Sequence, residues 1–198
     1  MSAPSLIPPV ILASTSPYRR ELLSRLRIAF ETARPDVDEN PLPGESAERM
    51  VARLAQAKAR AVAGDHPGAL IIGSDQVAVL DDEVLGKPGD HARATAQLRS
   101  LSGRRVRFLT GLCLLDTRND RTWVETVPFD VCFRPLDDAR IERYLQQERP
   151  YDCAGSFRSE GLGITLFERL EGDDPTALIG LPLIRLTDFL AEAGVYLP

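Results

Sequence analysis

The chain has 198 residues, of which 43% are hydrophobic and 27% are charged, a balance typical of a folded globular protein and not of a disordered one. Its formal net charge of −5 argues against a surface that binds a nucleic-acid polymer, because binding to phosphate backbones usually needs an excess of basic residues. A small polyanionic ligand needs only a local basic pocket. The length predicts a single domain over residues 1–198.

The cysteines and the apolar runs indicate where the protein works. Cys113, Cys132 and Cys153 are far apart in the sequence and lack the close spacing of zinc or redox motifs, which predicts buried, reduced thiols and a cytoplasmic location. No apolar run has the length that a membrane span requires, so we expect no membrane partner. The sequence leaves open whether the chain forms a homodimer.

The first predicted elements are a short strand and a helix that begins at Pro17, with Ser16 as its N-cap. Arg19 and Arg20 then occupy the first turn, where unpaired N–H groups and the helix dipole already place positive charge. The arrangement favours an anion, such as a phosphate, bound by the helix N-terminus, the hydroxyl loop that contains Ser14 and the two arginines. The alternative is that both arginines point into solvent.

Helices and strands alternate along the rest of the chain. Helices are predicted at 46–62, 90–101, 137–147 and 182–193. Strands are predicted at 28–32, 69–72, 106–115, 122–133 and 164–170, with a hairpin formed by 77–80 and 83–85. Alternating elements favour parallel strands and hairpins require antiparallel ones, so the predicted fold is a single-domain α/β fold with a mixed parallel and antiparallel sheet flanked by helices.

Two charged residues stand where apolar patterning does not expect them. Lys58 lies on the apolar stripe of the helix predicted at 46–62, so its ammonium must either extend to solvent or meet a negative charge. Asp75 follows the apolar run 69–72, which predicts a carboxylate at the end of a buried strand, a common place for catalytic groups in α/β proteins. The alternative for Asp75 is a turn-forming aspartate.

Glu39 and Lys87 complete a set of charged candidates. Glu39 lies in an acidic, proline-broken loop, and Lys87 is presented by a glycine-rich turn; either position is also compatible with an ordinary solvated surface. Four cations and two carboxylates are what triphosphate chemistry requires, because cations disperse the phosphate charge and carboxylates hold a divalent metal or accept a proton from water. The P-loop and dinucleotide-binding glycine patterns are missing, which excludes those two classes.

The segment 12–23, LASTSPYRRELL, resembles the opening signature of the Maf family of nucleoside triphosphate pyrophosphatases. The resemblance continues in order through VDE at 37–39, AQAKA at 55–59, GSDQ at 73–76, GKP at 86–88, AGSF at 154–157 and GLP at 180–182. It implies a Maf/ITPase-like fold and hydrolysis between the α- and β-phosphates of a nucleotide, giving a nucleoside monophosphate and pyrophosphate. It also implies a divalent cation, Mg²⁺ or Mn²⁺, as cofactor.

The same resemblance implies a role for each candidate residue. Asp75 is the expected proton acceptor and forms the catalytic group with Glu39, Lys58 and Lys87. The expected phosphate-binding residues are Ser14, Arg19 and Arg20. Glu39 and Asp75 are the candidate metal ligands, and the sequence leaves open which of the two carboxylates binds the metal and which binds water.

Gln76 and Glu160 concern the preference for a particular nucleotide base. The branch of the family that cleaves dTTP and UTP usually carries threonine after the aspartate and glutamine in the late loop, whereas Gln76 and Glu160 are similar to the branch that cleaves 7-methyl-GTP. A glutamate at position 160 could accept hydrogen bonds from the N1–H and 2-amino edge of guanine. Specificity for dTTP or UTP stays as an alternative, as does a nucleotide-binding regulator of cell division that inhibits septation without turnover.

Tyr18 is the departure from this branch, which often has tryptophan at the corresponding position. Either ring could stack on a base, and a methylated, cationic guanine favours an aromatic face. The alternative is that Tyr18 packs under the first helix as a hydrophobic staple.

Overall fold

The computed structural model describes residues 7–81 and 83–198. Within them, five α-helices are α1 (Pro17–Ser24), α2 (Ala47–Ala61), α3 (His91–Leu101), α4 (Asp138–Glu148) and α5 (Leu183–Glu192). The strands are β1 (Val10–Ala13), β2 (Glu31–Ala33), β3 (Leu70–Leu80), β4 (Glu83–Leu85), β5 (Arg105–Asp116), β6 (Arg121–Phe133) and β7 (Phe167–Glu171). No helix in this part of the chain is long and apolar enough to cross a membrane.

Four of the helices begin where the sequence predicts. The side chains of Ser16, Ser46, Asp90 and Asp137 each accept a hydrogen bond from the backbone amide three residues later, at the starts of α1, α2, α3 and α4. Each cap satisfies an amide that the first helical turn leaves unpaired. The fifth helix, α5, follows Pro182, which offers no side-chain cap.

The strands form one sheet in the order β2-β1-β3-β5-β6-β7, with β4 also paired to β3. β1 runs parallel to β2 and β3, and the remaining pairs are antiparallel. The prediction of a mixed sheet flanked by helices is therefore confirmed.

Strand β3 differs from the prediction in a way that matters for the site. The sequence suggested a strand ending at 72, followed by a separate hairpin, but β3 is continuous and pairs with β5 from Leu70 to Val79. On its other side β1 pairs only with 70–72 and β4 only with 78–80, so 73–77 has no strand partner on that side within the described residues. Asp75 therefore lies within a continuous strand, and the strand that ends beside it is β1. Asp82, which the sequence placed in the hairpin turn, lies outside the described residues.

The last predicted strand also begins later than expected. Residues Leu162–Leu166 form a 3-10 helix, and β7 begins only at Phe167. The amide of Gly163 donates to the carbonyl of Arg158 at 3.0 Å, and a Cβ at Gly163 would overlap that backbone. The chain is folded back on the preceding loop there, so the prediction of a strand from 164 is wrong.

The strand predicted at 28–32 is likewise displaced. β2 spans Glu31–Ala33, while Ile28 and Phe30 pack against the apolar cluster formed by β1, α1 and α5. Burial of these two side chains stabilises the approach to β2, a tertiary effect that the apolar pattern did not separate from strand pairing.

Helix α2 lies unusually close to the sheet, and two glycines make that approach possible. A Cβ at Gly73 would overlap the carbonyl of Ala55, and one at Gly111 would overlap the carbonyl of Val51. Only glycine leaves room for the helix backbone at these places. Because α2 sits directly on β3 and β5, the side chain of Lys58 reaches the middle of β3.

Candidate active site

A cavity of about 410 Å³ is bounded by the loop after β1, the first turn of α1 and the loop that follows α4. Its walls are formed by 14–19, Glu39, Gln76, Lys87, Phe108, 152–154, 157–160, Leu178 and Ile179. Seven of the predicted site residues are among them, namely Ser14, Tyr18, Arg19, Glu39, Gln76, Lys87 and Glu160. Segments that are distant in the sequence therefore converge on one opening.

Lys58 meets a negative charge instead of extending to solvent. Its ammonium lies 2.6 Å from Asp75 Oδ1 and 2.6 Å from Glu39 Oε1. Lys58 is only 7% exposed and Asp75 only 9%, whereas the Glu39 side chain is 62% exposed. Lys58 and Asp75 are not themselves in the cavity wall; they lie behind Glu39, which joins them to it.

The electrostatics of the site tie the scattered charges together. The hydrogen bond from Lys58 holds the pKa of the Glu39 carboxyl below its ordinary value, and the charges of Lys87 and Arg19 add to this effect while partial burial opposes it. Burial lowers the pKa of the Arg19 guanidinium, against the attraction of Asp75 and Glu39. Arg19, Lys58 and Lys87 thus all act on the carboxylate of Glu39.

The two arginines of α1 differ in placement. Arg19 Nε donates to the carbonyl of Gly180 at 2.8 Å, and Ser74 Oγ donates to the same carbonyl at 2.8 Å. The Nη atoms of Arg19 have no hydrogen-bond partner among the residues described, so they remain for a ligand. Arg20 is exposed and is not in the cavity wall.

Ser14 is 6% exposed, and its hydroxyl accepts a hydrogen bond from the Ser16 amide at 3.1 Å. This bond shapes the loop that leads into α1. The first turn of α1 borders the cavity as a result, because 14–19 all line it. Pro17 has no N–H, and the Arg19 and Arg20 amides donate to Ser16, so the Tyr18 amide is left unpaired among the described contacts of this turn. An unpaired amide at a helix start favours an anionic group.

Gln76 is held by backbone carbonyls. Its Nε2 donates to the carbonyls of Ala177 and Leu178 at 2.7 and 3.1 Å and lies 3.0 Å from Thr110 Oγ1. Because carbonyls only accept, these contacts orient the amide so that Oε1 remains as a free acceptor at the cavity. The side chain is fixed before any ligand binds.

Tyr18 lines the cavity with the guanidinium of Arg158 stacked over its ring, 5.2 Å from the ring centroid. Burial is the main cause that raises the pKa of the Tyr18 hydroxyl, and the carboxylates of Asp152 and Glu160 add to the rise. This end of the cavity is therefore aromatic and carries charges of both signs, from Arg158 and from the carboxylates of Asp152 and Glu160, in contrast to the basic end around Arg19 and Lys87.

The cysteine prediction holds in part. Cys113 and Cys132 are buried and free, whereas Cys153 is free but partly exposed because it lines the cavity. The expectation that all three thiols are buried is corrected at this position.

Several residues of the site carried no sequence signal of their own. Ser74 and Thr110 lie within strands, and a hydroxyl in a strand is too common to indicate a role. Arg158 is one arginine among many, although it directly follows the segment AGSF at 154–157. Gly180 was part of a recognised motif, but its function as an acceptor for Arg19 depends on a contact across 161 residues.

A sequence model of the family described as Maf-like protein matches residues 9–193, and the chain belongs to this family. The 7-methyl-GTP pyrophosphatase of Pseudomonas aeruginosa is 59% identical over 192 residues, covering 97% of this chain and 100% of the relative. The 7-methyl-GTP pyrophosphatase of Nitrosococcus oceani is 58% identical over 195 residues, covering 98% of each.

Among solved structures, a HAM1 protein from Coxiella burnetii is similar to this chain with a TM-score of 0.53 at 17% identity, covering 93% of this chain and 98% of that one. At this level of identity the similarity concerns the fold alone, and it agrees with the expected ITPase-like architecture.

Proposed function

We propose that this protein is a nucleoside triphosphate pyrophosphatase that hydrolyses the bond between the α- and β-phosphates of 7-methyl-GTP. The products are the nucleoside monophosphate and pyrophosphate, which would remove a modified nucleotide from the pool. The observation that carries the proposal is the buried Lys58 ammonium, 2.6 Å from each of two carboxylates, beside a cavity lined by Arg19 and Lys87. Relatives at 57–59% identity are named for this activity.

Each charged group has a distinct part in the proposed reaction. Arg19, Lys87 and the Tyr18 amide in the first turn of α1 bind the phosphate oxygens and disperse their charge. Asp75 accepts a proton from the attacking water as an oxygen–phosphorus bond forms at the α-phosphate, and the bond to the β-phosphate oxygen breaks to release pyrophosphate. Lys58 keeps Asp75 in place through their 2.6 Å contact.

The side chains around the cavity decide whether a divalent metal ion could be held there. No group of three or more His, Cys, Asp and Glu side chains is placed to hold a metal ion in the described ranges. Glu39 and Asp75 offer two carboxylates, and Mg²⁺ is often bound by one or two carboxylates together with substrate phosphates. They fit a divalent ion, Mg²⁺ or Mn²⁺, that binds together with the nucleotide. When bound, that ion would neutralise phosphate charge.

The other end of the cavity suits the base. The ring of Tyr18 offers an aromatic face, Glu160 supplies acceptors for the guanine edge, and the free Oε1 of Gln76 supplies another. A base that carries positive charge after methylation is attracted by the carboxylates of Asp152 and Glu160 near Tyr18, whereas the Arg158 guanidinium over the ring opposes it. The proposal therefore requires such a base to stack on the other face of the Tyr18 ring or to displace Arg158. A neutral pyrimidine gains nothing from these charges.

A hydrolysis screen tests the proposal. Purified protein is incubated with 7-methyl-GTP, GTP, dTTP or UTP in the presence of Mg²⁺, Mn²⁺ or EDTA, and pyrophosphate and orthophosphate are measured separately. We expect metal-dependent pyrophosphate release that is fastest with 7-methyl-GTP. Faster turnover of dTTP or UTP would overturn the base assignment and leave the reaction class standing. Tight nucleotide binding without any pyrophosphate release would instead support a regulator of cell division that does not turn over its ligand.

We further propose that the protein acts in the cytoplasm. Its three cysteines are free, which is typical of proteins in a reducing compartment, and nucleoside triphosphates are found there. Fractionation of cells that express the chain with a small epitope tag tests this location.

A further inference from the structure

Asp174 is a buried carboxylate outside the cavity wall. It is 3% exposed, and within the described ranges it forms no ion pair. Its Oδ1 accepts from the Thr176 amide at 3.0 Å and the Thr176 hydroxyl at 2.6 Å, and its Oδ2 accepts from the Ile184 and Arg185 amides at 2.8 and 3.4 Å. Four donors thus compensate the charge, two of them first-turn amides of α5.

Thr176 completes this arrangement. Its Oγ1 accepts from the Leu183 amide at 2.8 Å, the first amide of α5. Pro182 stands at the N-cap position without a side-chain cap, so Asp174 and Thr176 supply the missing capping groups from upstream. The two ends of the loop between Thr176 and Leu183 are consequently held together, because Asp174 and Thr176 before it accept hydrogen bonds from the first turn of α5 after it.

The closed loop presents three backbone carbonyls to two side chains that line the cavity. The carbonyls of Ala177 and Leu178 receive the Gln76 amide nitrogen at 2.7 and 3.1 Å, and the carbonyl of Gly180 receives Arg19 Nε at 2.8 Å. Gly180 has a φ of +114°, a left-handed conformation that favours glycine. A five-residue segment thus orients two side chains that line the cavity.

We infer that Asp174 is a positioning residue that sets Gln76 and Arg19 by holding the segment 176–180 in place. The inference rests on the proposed function of the cavity. Asp75 points to the α2 side of β3, where it meets Lys58, whereas Gln76 points to the opposite face, because adjacent strand residues alternate. Loss of Asp174 therefore affects nucleotide affinity and base preference more than the rate of the bound complex.

The test compares two buried aspartates. Asp174→Asn replaces one carboxylate oxygen by a donor that faces amide donors, so two of its hydrogen bonds are lost. Asp116→Asn is the matched control, because Asp116 is 2% exposed, also accepts a backbone amide, from Arg118 at 3.0 Å, and pairs with Leu70, six positions along β3 from Gln76. Both variants should unfold at a lower temperature.

The kinetic constants separate positioning from simple stability. For Asp174→Asn we expect KM for 7-methyl-GTP to rise about tenfold, and the preference over GTP to fall by a similar factor, with little change in kcat. Asp116→Asn should leave KM and the preference as in the wild type. An Asp174→Asn protein that melts earlier but keeps both kinetic values would overturn the inference.

Two further variants guard against a protein that does not fold. Thr176→Val removes the hydroxyl that receives the Leu183 amide and leaves the carboxylate, and Thr176→Ser restores the hydroxyl. Thr176→Val should raise KM in the same direction as Asp174→Asn, and Thr176→Ser should return it to the wild-type value. Equal KM values in the valine and serine variants would contradict the inference.

A double-mutant cycle tests the route through Gln76. In a Gln76→Ala background, Asp174→Asn should cause no additional loss of base preference, because the side chain that it positions is gone. Additive losses would contradict this route. If the wild type hydrolyses no nucleotide, the proposed function is wrong, whatever the role of Asp174. The same variants are then compared by calorimetric titration with 7-methyl-GTP. An unchanged affinity of Asp174→Asn for this nucleotide would contradict the inference.

Discussion

The two ends of the cavity are held in different ways. Behind the proposed phosphate end, which is the basic end around Arg19 and Lys87, Lys58 and Asp75 project from α2 and β3. They are less than a tenth exposed and contact each other at 2.6 Å. At the base end, Glu160 is exposed, and its side-chain hydrogen bond is to the neighbouring Ser159 at 2.8 Å. In the proposed reaction, the geometry around Asp75 is thus built by core packing, whereas the proposed base contacts come from a surface loop that can change without disturbing the fold.

The largest expected effect lies at the phosphate end. Asp75→Asn removes the proposed proton acceptor and should lower kcat by about 10³-fold, while nucleotide binding persists because Arg19 and Lys87 are intact. The readout is single-turnover hydrolysis with calorimetric titration. Asp130→Asn is the control: Asp130 is also buried, and it pairs with Arg107 at 2.9 Å outside the cavity wall. Comparable kcat values for the two variants would contradict the role of Asp75.

The support of the phosphate end is the next most sensitive feature. Gly111→Ala would push α2 away from β5, because its Cβ would overlap the Val51 carbonyl, and should lower the free energy of unfolding by about 3 kcal/mol. Gly64→Ala is the control, since a Cβ there meets nothing within 4 Å. Denaturant unfolding measures both. Equal stability would mean that α2 does not depend on the close contact.

A smaller effect is expected on KM when the two neighbouring arginines of α1, Arg19 and Arg20, are replaced one at a time. Arg19→Ala removes a cation that lines the cavity and should raise KM by roughly ten- to a hundredfold. Arg20→Ala changes an exposed residue outside the wall and should leave KM near the wild-type value. A larger effect at Arg20 would show that the triphosphate extends beyond the described cavity.

A change at the base end should alter preference more than rate. Glu160→Gln converts one acceptor oxygen to a donor and removes a negative charge, so the preference for 7-methyl-GTP over GTP should fall about tenfold. The exposed Asp173→Asn makes the same change in charge outside the cavity and should leave the preference intact. Competition assays with both nucleotides measure the ratio, and an unchanged ratio in Glu160→Gln would remove this residue from base recognition.

The smallest expected effect concerns pH. The pKa of Glu39 lies below its ordinary value of 4.5, mainly through the hydrogen bond from Lys58. A carboxylate with a lowered folded-state pKa contributes stability above about pH 4.5, and this contribution is lost as pH falls through the folded-state pKa. Lys58→Met should therefore shift the Glu39 titration upward in NMR, and an unshifted titration would contradict the coupling.

Local sequence signals were sufficient for much of this architecture. The helix starts near 16, 46, 90 and 137 were predicted from residue type and periodicity, because capping depends on neighbours within one turn. The position of Lys58 on the apolar stripe of its helix was predicted as well, because helical periodicity, like capping, depends only on residues nearby in the sequence. Both signals lie within a few residues of the feature that they predict.

Features that depend on tertiary contacts were not predictable in the same way. That β3 continues past 72 is decided by pairing with β5, and the fold-back at Gly163 by the backbone of Arg158. The sequence neighbours of Asp174 do not distinguish it from an ordinary turn aspartate, because its role depends on contacts with the start of α5. These outcomes depend on elements far away in the sequence, which a pattern within a short window does not contain.

The gap beside β3 has a consequence for the behaviour of the protein in solution. An exposed sheet edge normally invites another chain to add a strand, and proteins protect such edges by covering or shortening them. Here β1 and β4 flank an open stretch of only five residues, 73–77, with little length for an incoming strand to register. Four of these five residues are buried and the fifth, Gln76, is partly buried, so the unpaired stretch is covered by the rest of the fold and the molecule resists self-association along that edge.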